Sequence, residues 1–469
     1  MRFYRHPVLE KAGIVIIILL GDNTMDAQDP QPIRRLKQWT GALPVFLGIG
    51  SFQALAMFRR GLFYAYLSIY LRYFLGLSVT ETTLFATLPM LCNILAQTFV
   101  WGRLSDRRQL RRTLILWGEF SGGVGTVLIW AFHVLADAPM TAGYVIIIGL
   151  SVVEIFWSMS NIGWSALISD LYPERQRNEV QGRLASVGGV GRLAGIWIGG
   201  LLYDGMGKMY EGWGFESGIL FFAAAVVMFL SMIPVLYLPE GGIQNAGKSP
   251  EPDCDAECRK TSLRLFVVFL LAMTFINFGR NCVVVIQSQY LFLESGFAVS
   301  SPVLSYIFNT ETAAIILFGL FAGRIGRLMG NGRAVCLGAA ASVVYLVLFI
   351  AADELFWIYA ASFSRGAGAV IILAASYAMA SILIPPEHRG KLFGYFNATL
   401  FLSWGVAGTL IAGPIVDVMQ ALGASEVMAY KGAYISALAM TAIGLAIQMV
   451  LVFILLPRAG IDRRVMARG

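Results

Sequence analysis

Twelve long apolar runs constrain the fold of this chain more than any other feature of its sequence. They cover residues 43–75, 80–102, 113–135, 142–168, 184–203, 217–238, 263–294, 301–323, 334–352, 355–384, 392–418 and 432–456. A helix needs about 20 apolar residues to cross a bilayer core of about 30 Å, and each run is long enough. Hydrophobic residues make up 57% of the 469 residues and charged residues only 13%, which is too little polar surface for a soluble enzyme. We therefore expect an all-α membrane protein with twelve transmembrane helices.

One long polar stretch, Pro239 to Thr261, interrupts the series after the sixth run. Pro250 and Pro252 stand among acidic residues in this stretch, a composition that indicates a linker. The predicted organisation is therefore an N-terminal tail (1–40), a six-helix bundle (41–238), a cytoplasmic linker (239–262), a second six-helix bundle (263–457) and a C-terminal tail (458–469).

The first residues of the chain allow two interpretations. Basic residues precede the apolar run Ala12–Leu20, but this run is too short to span a membrane and no small-residue cleavage site follows it. The segment is either a cytoplasmic tail or an upstream extension of a reading frame that starts at Met25. The second interpretation is favoured because Met25 opens a polar segment that leads straight into the first helix.

The distribution of Lys and Arg predicts the orientation. With both termini in the cytoplasm, the outer loops receive only Lys208 and Lys431, whereas the inner loops receive the many arginines that follow helices 2, 4, 6, 8 and 10. The positive-inside rule favours this arrangement. Much of the net charge of +7 therefore sets topology, and we expect no nucleic-acid partner. The predicted location is the plasma (inner) membrane, as a multi-pass protein.

The two halves repeat each other. Helix 1 aligns with helix 7 at an offset of 220, which pairs Arg60 with Arg280, and an offset of 213 pairs Asp204 with Asp417. Such a parallel repeat predicts two pseudo-symmetric bundles with a binding site between them near the middle of the membrane.

A short motif between helices 2 and 3 resembles a known family. The sequence Gly102-Arg103-Leu104-Ser105-Asp106-Arg107, followed by Arg111-Arg112, is similar to the loop signature of the major facilitator superfamily, although Gln109-Leu110 departs from it. The resemblance extends over residues 41–457. It implies a secondary active transporter that works by alternating access. It also implies a gating role for Asp106, which in the family is thought to cap a neighbouring helix and pair with Arg. The gating residues implied in this way are Gly102, Asp106, Arg107, Arg111 and Arg112; the alternative is that these arginines only set topology.

Charges within the apolar runs predict the substrate. Five arginines lie deep in the runs (Arg59, Arg60, Arg192, Arg280 and Arg365) but only two carboxylates, Glu154 and Glu311. Such charges are costly in lipid and need partners or a watery cavity. The excess of cations favours a small anionic substrate, because Arg can bind a carboxylate or phosphate in a bidentate way. The alternative is that these arginines bond backbone carbonyls and the two glutamates.

Polar side chains that share a helical face with the two repeated arginines extend the predicted site. We expect Arg60 and Arg280 to face each other as a clamp. The predicted substrate-binding residues are Arg60, Tyr64, Asn277, Arg280, Gln287 and Arg365.

The two deep carboxylates are candidates for proton coupling. Burial disfavours the charged form of a carboxyl group, so Glu311 or Glu154 could carry a proton near neutral pH. Glu311 is the favoured site, and a static Arg–Glu pair is the alternative.

Other motifs do not support another function. Gly242–Ser249 matches the phosphate-loop pattern, but it follows a membrane helix and Pro250 comes next, so no nucleotide partner is expected. No His or Cys cluster suggests a metal or cofactor, which argues against a membrane enzyme. Two rivals stay open. One is a drug exporter of the same superfamily, although helix 1 lacks the acidic residue and helix 4 the arginine common in such proteins. The other is a membrane sensor that does not transport.

Overall fold

A computed structural model describes residues 32–172, 174–241, 256–384 and 389–459. Most of the predicted linker, the phosphate-loop-like segment, Met25 and the C-terminal tail from residue 460 lie outside these ranges. The side chain of Asp106 is also outside the described part. From Gly48 onward the described residues form one compact unit.

Twelve long helices follow one another along the described chain. They are α1 (Pro32–Ile69), α2 (Val79–Ala96), α3 (Arg112–Val134), α4 (Pro139–Leu171), α5 (Glu174–Tyr203), α6 (Ile219–Leu236), α7 (Ala256–Cys282), α8 (Ser301–Met329), α9 (Asn331–Ala351), α10 (Leu355–Leu383), α11 (Arg389–Ala407) and α12 (Glu426–Val450). Among the described residues, eleven helices are long and apolar enough to cross a membrane. Helix α1 is the exception, and it carries Arg59 and Arg60 side by side. The all-α, twelve-helix prediction is thus confirmed.

Some helices end or begin at other residues than predicted, because turns, a glycine with positive φ and helix caps set their ends. Helix α7 was expected as one run to residue 294, but its regular part ends at Cys282 and a second segment, Ile286–Phe292, follows a short turn. Helix α8 continues to Met329 and stops at Gly330, whose φ of 86° is accessible to glycine without strain. At the start of α2, Ser78 and Glu81 form a capping box, with Ser78 N donating to the Glu81 carboxylate at 2.8 Å.

The pattern of helix neighbours repeats after six helices. In the first half α4 packs on α3 and α2, and α3 packs on α6; in the second half α10 packs on α9 and α8, and α9 packs on α12. Two pairs of helices join the halves, α5 with α8 and α2 with α11. These two pairs are themselves equivalent under the repeat.

Hydrogen bonds join the halves at one end of the helices. The Tyr66 hydroxyl lies 2.5 Å from Ser305 Oγ, and Asp417 of the segment Gly413–Ala421 accepts from the backbone N–H groups of Val79 and Thr80 at 3.0 and 2.8 Å. Asp417 thereby caps the N-terminus of α2 from the other half, a position in which the helix dipole favours an anion. We call this end, which carries the loop before α2, the closed end.

Ser68 and Ser288 meet at the pseudo-symmetry axis of the closed end. Their Oγ atoms lie 2.6 Å apart although 220 residues separate them. The same offset relates helix 1 to helix 7 in the sequence, so each serine is the repeat equivalent of the other. Equivalent residues touch in this way only where a two-fold axis passes between them.

Glycines of α5 allow α1 to approach closely. A Cβ atom at Gly191 or Gly195 would overlap the carbonyl oxygen of Ala54 or Phe58. Small residues give membrane helices this close contact. The glycines of α5 therefore have a packing role.

Replacing Gly195 with Ala is expected to destabilise the protein by about 1–3 kcal/mol, because the added methyl group meets backbone rather than a movable side chain. Gly394→Ala in α11 is the matched control. Nothing lies within 4 Å of a Cβ there, and the better helix propensity of Ala predicts no loss, or a gain of up to about 1 kcal/mol. Thermal unfolding of the purified variants measures the difference, and equal midpoints would contradict the packing role.

Candidate functional site

A cavity of about 750 Å³ lies between the two halves, lined by residues of α1, α2, α4, α5, α8, α10 and α11 and of the turn and segment after α7. Its wall begins near Ser68 and Ser288 at the closed end and reaches Gln97 and Ser165, close to the other end of the helices. Five charged residues line it: Arg60, Glu154, Arg192, Glu311 and Arg365. Three are cations and two are anions, so the wall has a cationic excess.

On the first half, α1 and α4 place Arg60 beside aromatic and acidic groups. The Arg60 guanidinium lies 4.7 Å from the ring centre of Trp157, a cation–π distance, and Glu154 lines the same cavity. Glu154 Oε1 accepts from Asn93 Nδ2 of α2 at 2.5 Å. Tyr64 lies one turn further along α1 and also lines the cavity. The structure thus brings together three sequence-predicted residues, Arg60, Tyr64 and Glu154.

On the second half, an ion pair crosses from α10 to α8. Arg365 Nη1 lies 3.5 Å from Glu311 Oε2, and these side chains are only 11% and 4% exposed. Arg365 also donates a hydrogen bond to Gln287 Oε1 and lies 5.4 Å from the ring centre of Tyr345. Gln287 is fully buried behind Arg365 and holds it, rather than lining the cavity itself.

Arg280 and Asn277 do not line the cavity, contrary to the expected Arg60–Arg280 clamp. Arg280 Nε donates to Asn277 Oδ1 at 3.2 Å, and Asn277 donates to Thr399 of α11 at 3.3 Å. Both residues lie in the regular part of α7, where they bond each other and α11 instead of facing the cavity, whereas Gln287 follows the turn after Cys282 and no longer shares their helical face. On the second half, Arg365 provides the cation at the cavity wall.

Arg192 of α5 is a cavity cation that sequence reasoning weighed but did not select. It lines the wall near Ile196, and among the described residues it has no acidic or hydrogen-bonding side-chain partner. Arg59, another of the five deep arginines, does not line the cavity and lies instead against Trp157 and Met228 Sδ.

Glu119 of α3 is a buried carboxylate that sequence reasoning missed. It is 1% exposed and accepts from Trp157 Nε1 and Ser160 Oγ, both at 2.7 Å. It therefore fixes the indole on which Arg60 lies. A signal was available, because Glu119, Gly122, Gly123 and Thr126 form a small and polar stripe on one face of α3.

The loop between α2 and α3 carries the motif with the gating residues. Arg111 Nε lies 3.0 Å from Asp170 Oδ2 of α4, with both side chains almost buried. Arg112 Nε lies 3.4 Å from Glu240 Oε2, and the same carboxylate accepts from Arg111 N at 2.9 Å at the start of α3. Asp170 and Glu240 thus provide a helix cap and ion pairs in this loop, and sequence reasoning missed both.

Two further members of the motif have simpler surroundings. Arg107 is exposed. Gly102 follows a π-helical turn, Gln97–Trp101, and a Cβ there would lie 2.7 Å from the Gln97 carbonyl oxygen. Glycine therefore allows the chain to pass from the π-helical turn into the short α-helix Gly102–Arg108.

Twelve long, mostly apolar helices around a charged central cavity define a multi-pass membrane transporter. A family model of the Major Facilitator Superfamily matches residues 49–285, so the chain belongs to this superfamily. A comparison with curated protein sequences finds no match.

Solved transporter structures share the fold at low sequence identity. A bacterial homologue of the human lysosomal transporter Spinster, inward-facing and unoccupied, has a TM-score of 0.65 and 15% identity over 90% of this chain and 98% of its own. A mutant of the nucleoside transporter NupG gives 0.62 and 14% over 87% and 99%. The peptide transporter POT in complex with sulfate gives 0.64 and 12% over 89% and 95%.

Proposed function

We propose that this protein is a secondary active transporter that moves a small anionic solute by alternating access. The observation that carries the proposal is the cationic excess of the cavity wall, three arginines against two glutamates. A buried charge without a partner is costly, and an anionic substrate would balance the excess. The sulfate in the related peptide-transporter structure is compatible with an anion in such a fold.

The direction of opening follows from the charge bias of the loops. The loop Gly102–Arg112 is rich in arginine, which favours its placement in the cytoplasm. The closed end then faces outward, both termini are cytoplasmic and the cavity is accessible from inside, in the plasma (inner) membrane. Transport requires that the closed end separate while the other end closes, as the two halves rock about the site.

Arg60→Gln is expected to lower anion uptake at least ten-fold, because it removes a charge-assisted hydrogen-bond donor that is worth about 1.5–3 kcal/mol. Proteoliposomes are tested with radiolabelled phosphate, methanesulfonate, benzoate and 1-naphthalenesulfonate. Arg333→Gln, at an exposed site on α9, is the control and should transport normally. If Arg60→Gln takes up, at the wild-type rate, the anion that the wild-type protein transports, the proposal is contradicted.

Glu311 is proposed as the site of proton coupling. Its carboxylate faces the cavity, and within the described part of the chain Arg365, at 3.5 Å, is its one ion-pair partner. A proton on Glu311 would break this ion pair and leave Arg365 as a further uncompensated cation of the cavity wall. Glu311→Gln should therefore keep substrate exchange but lose accumulation driven by a pH gradient. Accumulation that persists at the wild-type level would indicate a static ion pair instead.

A further inference from the structure

Some polar groups of the cavity wall are engaged with one another. Asn93 donates to Glu154 at 2.5 Å, and Gln97 donates to Asn93 at 2.5 Å. Ser68 and Ser288 bond each other at the closed end. These bonds reduce the number of donors that the wall offers to an inorganic anion or a sugar phosphate, whose oxygens each need hydrogen bonds once they leave water.

One cation of the wall remains uncompensated by the protein. Arg365 pairs with Glu311 at 3.5 Å, and Arg60 lies 4.7 Å from the ring centre of Trp157 on the half that also carries the wall carboxylate Glu154. Arg192 has no such partner among the described residues, and it is the remaining charge of the lining. The wall thus offers one net positive charge, which matches a substrate with one negative charge.

The rest of the wall is aromatic and apolar. Trp157 and Trp164 of α4, Phe308 of α8 and Phe401 and Trp404 of α11 face the same cavity. Its volume of about 750 Å³ lies in the range of sites for drug-sized organic ligands. An inorganic anion would leave most of this space as water against aromatic faces, which the hydrophobic effect disfavours. A planar apolar body would fill it and stack on the rings.

We propose that the cavity binds an amphipathic organic monoanion, with its charged group at Arg192 and its apolar body among these aromatic side chains. This inference rests on the proposed function and narrows it, because it excludes inorganic anions and small polar acids as preferred substrates. The bidentate geometry of the guanidinium suits a carboxylate or a sulfonate equally.

Three probes of matched chemistry test the proposal by calorimetry with the full chain in nanodiscs, with empty nanodiscs as the blank. They are 1-naphthalenesulfonate, methanesulfonate (the same charge without the body) and 1-naphthalenesulfonamide (the same body without the charge). The first should bind at least ten-fold more tightly than either of the others. Arg192→Gln should weaken it at least ten-fold, Arg192→Lys less, and Arg333→Gln not at all.

The outcomes separate this inference from the function on which it rests. If methanesulfonate binds as tightly as 1-naphthalenesulfonate and both need Arg60, the preference for an apolar body is overturned, but the proposed anion transport is not. If the neutral sulfonamide binds as tightly as the sulfonate, both proposals are overturned. If Arg192→Gln keeps the wild-type affinity, the assignment of the charged group to Arg192 is overturned.

Discussion

A disulfide between Cys residues at positions 68 and 288 is expected to abolish transport, and its reduction to restore transport. The wild-type Oγ atoms lie 2.6 Å apart at the closed end, close to the distance of about 2.05 Å that a disulfide needs. Alternating access requires these two positions to separate in each cycle. Uptake by proteoliposomes that carry Ser68→Cys/Ser288→Cys, measured before and after dithiothreitol, gives the result.

Each single variant, Ser68→Cys and Ser288→Cys, serves as a control and should transport under both conditions. These controls also account for the native cysteines, of which Cys92, Cys282 and Cys336 are free in the described part of the chain. An oxidised double variant that is shown to be cross-linked by mass spectrometry and yet transports at the wild-type rate would exclude opening at this end.

Replacing Asp170 with Ala is expected to lower the free energy of unfolding by about 3–5 kcal/mol. Its partner Arg111 would remain as a nearly buried cation, and breaking a buried ion pair by removing one member has this cost. The neighbouring pair Arg112–Glu240 is about one-third exposed. Arg112→Ala should therefore cost about 1 kcal/mol or less.

Unfolding of the two variants by SDS titration in mixed micelles measures this difference. The double variant Arg111→Met/Asp170→Leu should recover part of the loss, because it removes both charges of this pair together while giving up the bonds of Arg111 to Ser105 and Gln109. Equal destabilisation by Asp170→Ala and Arg112→Ala would show that burial does not distinguish the two pairs.

Hydropathy sufficed to predict the helices because a membrane segment must hide its backbone and its charge from lipid. The details that failed depend on packing between helices. Periodicity placed Asn277, Arg280 and Gln287 on one helical face at the cavity wall, but Arg280 bonds Asn277 within α7, and a turn after Cys282 separates Gln287 from both. A turn in the middle of an apolar run leaves hydropathy unchanged, so composition could not predict it.

Acidic residues at helix ends were missed for a related reason. Asp170 and Glu240 look like ordinary loop charges in the sequence, and only the fold brings them to Arg111 and Arg112. Glu119 lies near the start of an apolar run, where a carboxylate is usually solvated, but Trp157 and Ser160 surround it here. In each case the partner of the carboxylate is far away in the sequence and is brought to it only by the fold.

The repeat correctly predicted which residues of the two halves occupy equivalent positions, but residues in equivalent positions have different contacts. Asp417 caps α2 of the other half, whereas its repeat equivalent Asp204 accepts from Gly207 N within its own turn at 3.0 Å. Arg60 lines the cavity and Arg280 does not. Two halves that move against each other need different contacts at the two ends, so sequence equivalence does not fix them.

Counterflow of radiolabelled 1-naphthalenesulfonate into proteoliposomes tests the central claim most directly, because this permanently charged anion does not leak through lipid. We predict saturable counterflow that the oxidised Ser68→Cys/Ser288→Cys variant and Arg60→Gln both lose. Specific binding of the anion in nanodiscs without any flux in proteoliposomes would contradict the claim and would indicate a membrane sensor rather than a transporter.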